Sequence, residues 1–154
     1  MAIATVMVVT SMSSVHNRSM QACAAEVNSM VAKCRINSLS RAGDVWLKIS
    51  QESDGIYAAY YENGVELDVV KAGKKILNGS FTDSNGTSHS LDSTGPLYIS
   101  FYKGTGKLRT VQDSAAIAGA SSSISTYSEE IVISFADNSR SVIIIPETGK
   151  HYLG

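Results

Sequence analysis

Charge, proline and glycine are missing from the start of the chain. Residues 1–17 contain no Asp, Glu, Lys or Arg, and residues 2–41 contain no proline or glycine. This run predicts one helix of about forty residues, close to 60 Å long at ~1.5 Å per residue, with Gly43 as its stop signal. A small domain needs a shorter helix than this for its core, so we expect the first half of the helix to project from the body. Deletion of residues 1 to about 25 should then leave a folded domain.

Cysteine and net charge are also scarce. The 154 residues include two cysteines and carry a formal net charge of −1 at pH 7. This length fits one domain, and the charge offers no basic excess for binding nucleic acid. Cys23 and Cys34 lie on the same predicted helix, about 16 Å apart, which is too far for a disulfide. We predict that both are free, buried side chains.

The motifs that carry catalytic chemistry are absent. The three histidines stand alone, without a His-Glu-x-x-His or Cys-x-x-Cys pattern to seat a metal. No phosphate-binding loop is complete, and no serine lies in a Gly-x-Ser-x-Gly elbow. The sequence therefore predicts no catalytic residue, no metal site and no cofactor, and we expect a protein that is not an enzyme.

The uncharged opening is apolar but short. Residues 1–10 fall below the roughly 20 apolar residues that cross a bilayer, and the next few are mostly hydroxyl side chains. A secretory signal would begin with basic residues, and this segment has none. Two interpretations stay open. The segment is either the second half of a membrane span whose first half is missing, or a buried or amphipathic surface helix.

From Arg18 onward the helix becomes amphipathic. Its charged residues occupy other faces than the apolar ones, which recur at spacings of three and four. This spacing predicts a face packed against the rest of the protein. The face comprises Met20, Cys23, Ala24, Val27, Met30, Val31 and Cys34.

After Gly43 the apolar period changes to two, which is typical of strands. The predicted strands are residues 45–49, 56–61, 65–70, 97–102, 107–111, 130–135 and 140–145. Segments 78–90 and 113–129 are rich in turn formers or in Ala, Ser and Gly, so we predict loops there and assign them no ligand. The predicted fold is α+β: a helical segment, 1–42, packed by its second half on an antiparallel body, 43–154.

Three stretches carry a resemblance to a known family. They are the helix end and first strand at 26–49, the alternating segment 97–104, and the closing hairpin with its Thr-Gly turn at 131–150. In this order, after a helix with an apolar first half, they resemble the type IV pilin and pseudopilin superfamily. The particular similarity is to the H-type minor pseudopilins of type II secretion and to FimT-like pilins.

The resemblance implies a structural subunit that is stored in the bacterial cytoplasmic membrane and then assembled into a filament. Its body would be extracytoplasmic, and its partners would be other pilin subunits, the membrane and the inner-membrane assembly machinery. The family's processing site, a Gly before Phe or Met and a later Glu, has no counterpart in residues 1–17, so we expect it upstream of Met1.

The resemblance also divides the helix into two functional parts. Segment 1–17 would enter the membrane and later the filament core, whereas segment 18–42 would pack on the sheet. An alternative from another class is an extracytoplasmic β-rich binding module with a membrane anchor. The predicted membrane and filament-core residues are Ala2, Ile3, Ala4, Val6, Met7, Val8, Val9, Met12 and Val15.

Overall fold

One long helix and a β-rich body form the protein. The computed structural model describes the backbone of residues 2–83, 85–92, 95–109 and 129–154, and the side chains of this set from residue 14 onward. Helix α1 runs Ala2–Ser40, 39 residues, in agreement with the predicted length. In its last turn the hydroxyl of Ser38 donates to the carbonyl of Cys34, and Arg41 N–H donates to Asn37.

The described strands form two antiparallel sheets. A four-stranded sheet has the order β3-β2-β1-β6, and a five-stranded sheet has the order β5-β4-β7-β8-β9. The strands are β1 (Val45–Glu52), β2 (Gly55–Glu62), β3 (Val65–Lys74), β4 (Asn78–Thr82), β5 (Ser88–Ser90), β6 (Leu97–Ile99), β7 (Glu130–Phe135), β8 (Asn138–Ile145) and β9 (Lys150–Leu153).

Short turns connect the hairpins as the sequence predicts. Asn63 and Gly64 join β2 to β3, and both have positive φ, the geometry that an Asn-Gly hairpin turn requires. The β7–β8 turn is tighter than expected, because β8 begins at Asn138 and only two residues separate the strands. The first of them, Ala136, takes a φ of 51°.

Helix α1 packs against both sheets. It contacts β1, β2 and β3 of one sheet and β7, β8 and β9 of the other. Alternate residues of these strands point toward it, and together they form one continuous apolar core. The α+β class with an antiparallel body is confirmed. Large buried side chains in this core include Phe81, Phe101, Met20, Leu47 and Ile49.

Segment 78–90 corrects one prediction. It is not a loop, since it contains β4, β5 and the turn between them. Phe81 is buried and pairs with Ile131 on β7, about fifty residues away in sequence. Local composition favours a turn, but burial of Phe81 against this distant strand stabilises the extended conformation.

Other boundaries differ at the edges of the sheets. Strand β6 ends at Ile99, and beyond it Phe101 forms an isolated bridge with Leu108 in place of the predicted strand 107–111. Strand β9 was not predicted, because its four residues are too few to show a period. The predicted loop 113–129 lies outside the described residues except for its last residue, as do residues 110 and 111.

Candidate functional site

The packed face of the helix begins at Met20 among the side chains that are described, which start at residue 14. The predicted packing residues Met20, Cys23, Val27, Met30, Val31 and Cys34 are all at most 4% exposed and belong to the core. Ala24 and Ser38 are buried as well. Val15, by contrast, is 51% exposed. The other predicted membrane and filament-core residues, Ala2, Ile3, Ala4, Val6, Met7, Val8, Val9 and Met12, lie on the helical backbone, and their side chains are outside the described part.

The two cysteines are free and buried, as predicted. Burial raises the pKa of each thiol to about 12. The Cys34 thiol points at the carbonyl of Ile99 on β6, with 3.7 Å between the two atoms. Because the thiolate is the reactive form, neither cysteine is suited to redox or nucleophilic chemistry in the folded protein.

Polar contacts fix the second half of the helix to the four-stranded sheet. Lys33 Nζ lies 2.6 Å from Asp68 on β3, and Asn37 donates to the Tyr60 hydroxyl over 2.8 Å. Tyr60 in turn donates to Glu62. Burial, followed by this hydrogen bond, raises the pKa of Tyr60 to about 12. The Lys33–Asp68 and Asn37–Tyr60 contacts join residues more than twenty positions apart, so no local sequence pattern indicates them.

Helix α1 and strand β3 run antiparallel to each other. Lys33 contacts Asp68 on the strand. Ten residues earlier on the helix, Cys23 lies against Gly73, near the end of the strand. A Cβ atom on Gly73 would lie 2.7 Å from the Cys23 sulfur, which is closer than such atoms approach. The absence of a side chain at Gly73 therefore lets β3 approach the helix at this level.

An open groove of about 530 Å³ lies between α1 and the end of β3. Three cations line it, Arg18, Lys71 and Lys74, together with Val15, Ser19, Ala22, Ala72 and Gly73. Lys71 Nζ lies 3.0 Å from Asp54. In the described part of the chain, neither Arg18 nor Lys74 has an ion-pair partner. No local sequence pattern indicates this groove, because its two walls are about fifty residues apart in the chain.

The histidines serve local packing. The ring of His16 lies 4.2 Å from that of Phe135, on another side of the helix from the groove. His89 stacks on Phe81 and lies 2.8 Å from Asp83, whose other carboxylate oxygen accepts two backbone N–H groups in the β4–β5 turn. Across the described residues, no cluster of three or more His, Cys, Asp or Glu side chains is arranged to hold a metal ion.

Two further findings bear on function. In the described part of the chain, no helix has the combination of length and apolar composition needed to span a bilayer. No family model, curated protein or solved structure matches the chain. Function is therefore inferred from the helix, which is uncharged before Arg18 and packed on the body from Met20 onward, and from the basic groove beside it.

Proposed function

We propose that the protein is a structural subunit of the pilin or pseudopilin type, a minor component of a type II secretion pseudopilus or a type IV pilus. One observation carries the proposal: a single 39-residue helix whose apolar face is buried in the body from Met20 onward, and whose uncharged first part continues the same helix before that face. A body of this size uses about half of that length for its own core.

The uncharged first part of the helix is compatible with two environments in succession, a lipid bilayer and a bundle of helices. Residues 2–17 account for about 24 Å of helix, against a bilayer hydrocarbon core of about 30 Å. Without charged side chains, this segment is stable in lipid and also in a bundle of helices that excludes water. We therefore propose that the subunit is first stored in the cytoplasmic membrane and is then transferred into a filament core.

The body then has a structural role. It would lie on the extracytoplasmic side of the membrane and face outward in the assembled filament, held to the helix by the Lys33–Asp68 and Asn37–Tyr60 contacts. Its partners would be neighbouring pilin-type subunits and the assembly machinery of the inner membrane. We propose no catalytic activity for it.

A charge placed in the helix tests the proposal. In the cells that produce the protein, Val8→Asp should reduce its amount in sheared surface filaments on the order of 100-fold, because a carboxylate in an apolar environment costs about 2.5–3.5 kcal/mol. Val65→Asp is the matched control, since Val65 on β3 is 58% exposed and the same charge there remains in water. Immunoblots of filament and cell fractions give both amounts.

Two results would contradict the filament role. Equal incorporation of the two variants would mean that the first part of the helix is not in an apolar core. A wild-type protein that binds membranes reversibly and never enters filaments would instead favour the anchored binding module.

A further inference from the structure

The groove beside the helix has the charge of an anion-binding surface. Arg18 and Lys74 line it without an ion-pair partner in the described residues, and Lys71 is shared with one carboxylate, Asp54. The helix adds no opposing charge at this level, because the first acidic residue of the chain is Glu26. Three cations thus line this groove, with the Asp54 carboxylate paired to one of them, in a molecule whose net charge is −1.

The turn after β3 extends this surface with a second, different feature. Lys75 and Ile76 lie at the tip of the turn, which closes through a hydrogen bond from Leu77 N–H to the Lys74 carbonyl. Ile76 is 42% exposed, whereas its neighbour Leu77 is fully buried. The turn is therefore amphipathic. The Ile76 side chain can enter an apolar layer, while the ammonium groups of Lys74 and Lys75 can bind anionic groups at the surface of that layer.

The position of these residues identifies the partner. The groove lies at helix residues 15–22, directly where the uncharged segment 1–17 gives way to the packed part of α1. If that segment enters a bilayer, Arg18 and the β3–β4 turn are at the level of the lipid headgroups. Phosphodiester groups there would meet unpartnered cations, and Ile76 would meet the boundary of the acyl chains.

We propose that Arg18, Lys74, Lys75 and Ile76 form a docking surface for the phosphodiester headgroups of an anionic membrane, which orients the body against the bilayer before assembly. The inference rests on the proposed function, since segment 1–17 is what brings the surface to a bilayer. Leaving the membrane then requires breaking these contacts, so the surface also sets how firmly the stored subunit is held.

Vesicle binding by the full chain tests the charge contribution. The wild type should bind vesicles with roughly one third phosphatidylglycerol more tightly than pure phosphatidylcholine vesicles, and added salt should weaken this preference. Arg18→Gln, Lys74→Gln and Lys75→Gln together should reduce binding to the anionic vesicles about 100-fold, or about fivefold for each cation. Flotation assays measure both quantities.

The matched control removes the same charge at the other end of the body. Lys103, Lys107 and Lys150 lie near the end of the helix, where Lys103 donates to the Ala42 carbonyl and Arg35 to the Thr148 carbonyl. Their joint replacement by Gln should leave anionic-vesicle binding within about twofold of wild type, because charges beyond a Debye length of ~10 Å are screened.

A probe on Ile76 tests the apolar contact. In Ile76→Cys, an environment-sensitive thiol dye should shift its emission to the blue on anionic vesicles, whereas the dye in Val65→Cys should not. Val65 lies at the opposite end of β3, about 30 Å away. The native thiols need no removal, because Cys23 and Cys34 are buried and their pKa values are about 12.

The outcomes separate this surface from the filament role. Unchanged anionic binding of the triple variant, or no shift at Ile76, would overturn the docking surface and leave the filament role standing. Displacement by inorganic phosphate beyond that by sodium chloride at equal ionic strength would also overturn it, in favour of a small-anion site. A wild-type protein that binds anionic vesicles but not neutral ones would count against the insertion of segment 1–17 into the bilayer, and so against the filament role on which this surface rests.

Discussion

At the residue scale, a close approach between α1 and β3 depends on Gly73. An added Cβ there would lie 2.7 Å from the Cys23 sulfur, 3.3 Å from Ile56 and 3.4 Å from Leu77. All three neighbours are buried, so none can move into solvent. No local pattern in the sequence indicates this role for Gly73, because the residue that makes the glycine necessary, Cys23, lies on a helix fifty residues earlier in the chain.

We expect Gly73→Ala to destabilise the protein by about 1–3 kcal/mol, since a methyl group has to be forced into a packed core. Urea unfolding measures the change. Gly104→Ala is the matched control: no atom lies within 4 Å of an added Cβ there, and its free energy of unfolding should change by less than about 0.5 kcal/mol. Cys23→Ala combined with Gly73→Ala should recover part of the loss, and full stability of Gly73→Ala alone would refute this packing account.

At the element scale, the packed face of the helix begins at Met20, where its apolar spacing predicts, and this limits how much of the helix can be removed. The expectation that residues 1 to about 25 are dispensable is revised, because Met20, Cys23 and Ala24 are fully buried. Deleting residues 2–13 should leave the melting temperature unchanged. Deleting residues 2–25 should abolish a cooperative transition, since emptying sites like Met20 costs about 2–5 kcal/mol each against a total stability of about 5–15 kcal/mol.

Circular dichroism of the two deletions, followed through a thermal scan, distinguishes these results. The shorter deletion is the control, because it shortens the helix without removing any residue of the buried face. A stable, cooperative fold after the longer deletion would mean that the two sheets pack without the first turns of the buried helix face, and the earlier limit of about 25 would stand.

The elements differ in how readily the sequence predicts them. Helix α1 and the β7–β8 hairpin follow from local pattern, because each has enough residues to show its period. Strand β4 was missed because its partner β7 is about fifty residues away, and β5 and β9 were missed because they have only three and four residues. The groove was missed for a related reason. Arg18 and Lys74 are ordinary surface cations in the sequence, and only the antiparallel packing of β3 on the helix brings them to the same groove.

At the scale of the whole molecule, α1 is shared by both sheets. It contacts three strands of each, and the core is continuous from Ile49 on β1 to Ile133 on β7. The helix covers the apolar faces of both sheets. If it separates from the body, both faces become exposed to water together. This arrangement predicts that the body unfolds as one cooperative unit.

We expect Ile133→Val, in the five-stranded sheet, to lower stability by about 0.5–1.5 kcal/mol and to shift the unfolding seen at Cys34 by the same amount. Cys34 reports on the other sheet, because its thiol faces Ile99 on β6. Thiol labelling in urea and circular dichroism should give coincident transitions. Two separate midpoints, with Cys34 insensitive to the substitution, would show that the sheets unfold independently.

The buried face of α1 also decides how the molecule responds to force. Its contacts extend from Met20 to Ser38 along one line, parallel to the helix axis and to β3. Tension applied to the N-terminal end acts along that same line. The contacts are then loaded in shear and have to slide together, whereas a pull across the axis would open them one at a time. The helix can thus bear a pull along its axis without being peeled from the body.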